Sequence, residues 1–111
     1  MAVPVPNHNI KYGFVNANSS GNNQLVAAPG AGLKIRVLSL VAVCGVAATS
    51  MKLQSATTDI SALFAFAANG GMVLNENRSG WFSTAANEAL NVNLSGANAV
   101  GVSITYILTT V

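Results

Sequence analysis

Alternation of apolar and polar side chains constrains this chain more than any other feature of its sequence. Leu90, Val92 and Leu94 fall on one side and Asn91 and Asn93 on the other, the period of two that sends successive strand side chains to opposite faces. Farther on, Val100, Val102, Ile104, Tyr106 and Leu108 share a face opposite Gly101, Ser103, Thr105, Ile107 and Thr109. Near the start, Ile10, Tyr12 and Phe14 alternate with Lys11 and Gly13, and Leu25 with Ala27 predicts a short partner strand after Asn18-Ser-Ser-Gly-Asn-Asn23.

Turn formers recur at Pro29-Gly-Ala-Gly32, Gly45, Asn69-Gly-Gly71, Asn75-Glu-Asn-Arg-Ser-Gly80 and Ser95-Gly-Ala-Asn98, leaving segments of mostly five to twelve residues. That rhythm is the one expected of an all-β sandwich or barrel. With 111 residues, the chain supports one domain and one core. We assign 10–111 to the β-domain and 1–9, with Pro4 and Pro6 at alternate positions, to an extended N-terminal arm, because proline there removes ladder donors.

Within the domain, Leu33, Ile35, Val37, Val41 and Val43 are expected on one face of a long strand. Its other face changes from Lys34 and Arg36 to Leu38 and Leu40, so its second half is expected to be covered on both sides, by this chain or by another subunit. Pro29 to Gly32 reads as a hairpin turn. For Asp59 to Gly70 the alternation of Ile60, Ala62, Phe64 and Phe66 favours strand, while Asp59 as a cap and Gly70 as a terminator leave helix as the alternative. Residues 84–89 read as one helical turn or a broad loop.

Charge then decides which functions the chain can support. Only 7% of residues are charged and the net charge is +2, so the chain lacks the self-repulsion of a disordered segment. The five basic residues are scattered from Lys11 to Arg78, whereas phosphate binding needs them clustered, and no nucleic-acid partner is expected. The apolar run Val37 to Ala48 is shorter than the roughly twenty residues of a membrane helix and reads as a strand. The start, Met-Ala-Val-Pro-Val-Pro-Asn-His, lacks a basic and continuously apolar secretory pattern and reads as a cytosolic start.

Catalytic chemistry finds little material. His8 is the sole histidine and lies in the arm, where nothing holds it as a general base. Glu76 and Glu88 lie in polar loop contexts, unlike a glycosidase pair. Cys44, the single cysteine, sits between Val43 and Gly45 as an inert buried thiol. Gly30 and Gly32 precede a strand where a dinucleotide motif needs a helix. No catalytic, cofactor or metal site is expected, and the chain does not read as an enzyme. Trp81 and Phe82, adjacent after Gly80, are candidate loop aromatics: a plug closing the core, or a platform for a sugar ring.

With charge so scarce, the solvent-facing positions fall to small neutral residues; thirteen asparagines and eighteen alanines make a surface that desolvates cheaply. A free monomer is normally more charged, so the composition points to a subunit packed against neighbours.

Five runs carry a family resemblance: Gly32-Leu-Lys-Ile-Arg-Val-Leu-Ser-Leu; Met51-Lys-Leu-Gln-Ser with Thr57-Thr-Asp-Ile-Ser; Ala67-Ala-Asn-Gly-Gly-Met-Val-Leu; Gly80-Trp-Phe-Ser-Thr; and Glu88-Ala-Leu-Asn-Val-Asn-Leu-Ser. On these runs the chain resembles small virion proteins of tailed bacteriophages, a resemblance that covers about residues 10 to 108. The resemblance implies a jelly-roll-like antiparallel β-sandwich and a structural role in the virion as a capsid decoration or cement protein. It implies the major capsid protein of the same phage as partner, self-association as a homotrimer, and no cofactor. The arm residues Val3, Pro4, Val5, Pro6, Asn7 and His8 are then candidate capsid contacts. The alternative is a tail or fibre component, or a glycan-binding module, that recognises a host surface through Trp81 and Phe82.

Overall fold

A computed structural model describes residues 9–110. Ten strands form, and no helix is present among these residues: β1 (Lys11–Ala17), β2 (Gly21–Val26), β3 (Leu33–Cys44), β4 (Thr49–Ser55), β5 (Thr58–Asp59), β6 (Phe64–Phe66), β7 (Gly71–Leu74), β8 (Phe82–Ser83), β9 (Leu90–Leu94) and β10 (Val100–Thr110). They pair antiparallel in two sheets. The first runs β1-β10-β3-β7, with β8 also on β3; the second runs β2-β9-β4-β5, with β6 also on β4.

Taking β5 with β6 and β7 with β8 as two interrupted strands, the chain crosses between sheets in the order of an eight-stranded jelly roll. The fold is therefore the expected all-β, jelly-roll-like β-sandwich. Its core lies between the sheets and is built from the predicted alternations. Ile35, Val37, Leu40 and Ala42 of β3 and Val100, Val102 and Ile104 of β10 meet Met51 and Leu53 of β4 and Leu90, Val92 and Leu94 of β9, all buried. Burying each of the larger side chains contributes about 1.5–3 kcal/mol, before chain entropy opposes it.

Four expectations need correction. The first concerns β3, where Val37 pairs Tyr106 and Ser39 pairs Thr105, leaving Leu38 as an extra residue. Such a bulge exchanges the two faces of a strand. Leu40 and Ala42 therefore join Ile35 and Val37 in the core, and Val41 and Val43 turn outward and are exposed. Nothing in the described chain covers that second half of the outer face.

The other three concern connections. Residues 29–32 do not form a hairpin; they carry the chain from β2 in one sheet to β3 in the other. The partner strand predicted at Leu25 is present but pairs with β9, not β1, and ends at Val26, leaving Ala27 exposed. Between Asp59 and Gly70 the chain is neither one strand nor a helix: β5 and β6 flank an irregular stretch in which Ala62 is exposed. Residues 84–89 form a loop.

Candidate docking face

The two outer faces of the sandwich differ in chemistry. On the second sheet the outward rows are amides and charges: Asn22, Asn93 and Lys52 lie side by side, as do Gln24, Asn91, Gln54 and Asp59. These groups satisfy one another. Asn93 Nδ2 donates to Asn22 Oδ1 at 2.8 Å, and Asn22 and Asn91 both donate to the Ala56 carbonyl, at 3.1 and 2.9 Å. Gln54 Nε2 donates to Asp59 Oδ1 at 2.6 Å and Lys52 Nζ to Oδ2 at 3.1 Å. The Gln54 amide first, and Lys52 second, hold the Asp59 carboxyl below its ordinary range.

The outer face of the first sheet carries, among the described residues, a single such bond, between the Ser39 and Thr105 hydroxyls at 2.6 Å. Residues directly opposite in an antiparallel pair share a face, so the registers define its rows. The middle row is Phe14, Ser103, Val41 and Val73; on one side lie Tyr12, Thr105 and Ser39, and on the other Asn16, Gly101, Val43 and Gly71. Tyr12 is 80% exposed, Phe14 73% and Val73 65%, with Val41 and Val43 about half exposed. No charged residue occupies these three rows; the nearest in register are Arg36 and Lys34, opposite Ile107 and Thr109. Strand and residue spacings give the face about 400 Å². Its five large apolar side chains share it with Asn16, Ser39, Ser103 and Thr105, and an exposed patch on that scale is often functional.

Local sequence explains why the face is open. β1 and β10 are paired without a register shift from Lys11 to Ala17. Gly71 lets β7 lie close on β3: a Cβ there would sit 2.5 Å from the Ala42 carbonyl oxygen. The Leu38 bulge then sends Val41 and Val43 outward. Sequence reasoning found Tyr12 and Phe14 on one face but placed Val41 and Val43 on the same face of β3 as Ile35 and Val37, and so missed the middle of the patch.

The other candidates separate. Phe82 packs against the core and Trp81, its strand neighbour, is partly exposed. The Trp81 indole N–H donates to the Asn75 carbonyl at 2.7 Å and its backbone N–H to the Val37 carbonyl at 2.8 Å. Phe82 thus packs on the core while Trp81 stays exposed beside it. Val3, Pro4, Val5, Pro6, Asn7 and His8 lie outside the described residues.

Cys44 is buried, its thiol directed at the Ala47 carbonyl at 3.1 Å. Glu88 Oε1 accepts the Ser55 hydroxyl at 2.6 Å, and Glu76 is exposed in the 75–81 connection. Among the described residues no group of three or more His, Cys, Asp or Glu is placed to hold a metal ion. Comparison with family models, curated proteins and solved structures finds none that matches this chain.

Proposed function

We propose that this protein is a structural component of a tailed-bacteriophage virion, a decoration or cement protein that lies on the head shell as an oligomer and stabilises it. One observation carries the reading: an uncharged, largely apolar outer face on one sheet, set against an amide-rich outer face on the other. The first face loses little on desolvation and gains from being covered, whereas the second is already hydrogen-bonded and suited to water. Many equivalent copies on a shell make modest single contacts sufficient. The sequence resemblance supports the same reading, with the major capsid protein of the same phage as partner and a trimer as the assembled form. Recognition of a host glycan is the less favoured reading, since Phe82 is turned into the core and the Trp81 indole N–H is already bonded.

The reading is tested by the occupancy of purified protein on capsids stripped of it. A charge at the centre of the face, Val41→Asp, must be desolvated unpaired on docking, and occupancy is expected to fall at least tenfold. Thr57→Asp, on the exposed turn between β4 and β5, is expected to leave it unchanged. Equal occupancy for both variants would contradict the proposal.

A further inference from the structure

The first sheet has an edge that the other described residues do not blunt. Open strand edges are ordinarily made short, bulged or interrupted, because an unpaired row of N–H and C=O groups invites another strand. Here β7 and β8 have four and two residues, β5 and β6 two and three, and β2 carries a register shift between Gln24 and Val26. β1 is different: seven residues, no shift, and β10 as its only pairing among the described residues.

Hydrogen bonds show which β1 residues face outward. Cys44 N–H bonds the Gly70 carbonyl and Gly45 N–H bonds the Ala99 carbonyl, so Val41 and Val43 face β10 and Ala42 and Cys44 face β7. Carrying the alternation across β10, Gly101 and Ser103 bond to β3, Val100 and Val102 bond to β1, and Val15 and Ala17 bond back. The N–H and C=O groups of Tyr12, Phe14 and Asn16 therefore point to the free edge.

Residues 1–8, if extended, would complement that edge. In an extended strand the backbone groups of successive residues point to opposite sides, and proline has no N–H. Pro4 and Pro6, two apart, disable one side of such a strand and leave the other side, with the N–H groups of Val3, Val5 and Asn7, intact. A strand of this kind can pair once and then ends the sheet.

We propose that residues 1–8 of one copy add as an antiparallel strand to the free edge of β1 in a second copy, Val3, Val5 and Asn7 bonding the Tyr12, Phe14 and Asn16 side. The second copy is favoured over the chain's own β1 by the turn that folding back would need. A two-residue reversal at His8-Asn9 needs left-handed backbone at both positions in a type I′ turn or a glycine-like first position in a type II′ turn, and either is normally supplied by glycine. Asn9 is left-handed, with φ of 64°, but His8 brings no glycine. A strained short hinge favours exchange between copies. In the added strand Val3 and Val5 lie on the same face as Tyr12 and Phe14, so each arm widens the apolar docking face, while the prolines close the sheet to further addition. This exchange stands independently of what the face docks on.

The test is the molar mass of the full chain in solution by light scattering on a sizing column, with circular dichroism to confirm the fold. The full chain is expected to run as an oligomer. Removing residues 1–8 is expected to give the single-chain mass with the β spectrum retained. Val5→Pro, which deletes a donor on the pairing side, is expected to weaken association at least a hundredfold. Ala2→Pro, which adds a third proline on the blocked side, is expected to leave it intact. A full chain of single-chain mass, including one whose arm only raises its melting temperature, would overturn the proposal. So would an oligomer that survives both the deletion and Val5→Pro.

Discussion

Ser55 shows how strictly this small core treats the few polar groups it contains. Its side chain is buried at the end of β4, its hydroxyl donates to Glu88 Oε1 at 2.6 Å, and the same oxygen accepts the Ala85 N–H at 2.9 Å. One hydroxyl thus ties the 84–89 loop to the second sheet. Ser55→Ala removes both bonds and leaves a loop N–H without its partner, which costs about 1–3 kcal/mol. A chemical denaturation curve is expected to show that loss with an unchanged slope, and a stability equal to the parent protein would contradict the role. The reciprocal pair between Thr84 and Ile35, in which Ile35 N–H donates to Thr84 Oγ1 and Thr84 N–H to the Ile35 carbonyl, both at 2.9 Å, holds the start of that loop to β3.

Among the elements, β3 decides both the core and the exposed face. Its Leu38 bulge changes which residues face inward, and Gly71 of β7 sits so close to the Ala42 carbonyl that any Cβ forces the two strands apart. Gly71→Ala is therefore expected to loosen β7 alone. Amide hydrogen exchange should quicken at Ala42 and Cys44, whose N–H groups face β7, and stay unchanged at Val41 and Val43, which face β10. Equal acceleration at all four would contradict the assigned pairing. The same strand marks the limit of sequence reading. β9 and β10 alternate cleanly between apolar and polar or small residues, so their faces and much of the core were legible from residues alone. In β3 the run from Val37 to Cys44 is almost wholly apolar, and hydrophobicity alone cannot reveal where a bulge exchanges the faces. The docking face was hidden for that reason: its central Val41 reads from sequence as one more core valine. The Pro29-Gly30 and Gly32 turn signals were likewise real, but turn chemistry does not distinguish a hairpin from a crossing between sheets.

At the scale of the molecule, scarce charge and jelly-roll topology act together. The sandwich buries one face of each sheet and leaves two outer faces. Sequence composition places hydrogen-bonded amides on one of them and aromatic and valine side chains on the other. A subunit covered on one side and wet on the other fits that division, and the proposed arm exchange would link copies without a large interface. The proposed role requires one particular face to be covered in the virion. Cryo-electron microscopy of the parent virion tests this most directly: it is expected to show the protein on the head surface with Tyr12, Phe14, Val41 and Val73 against the shell and the Asn22, Asn91 and Asn93 face toward solvent. Absence from the particle, or the amide face against the shell with Phe14 and Val41 exposed, would contradict it.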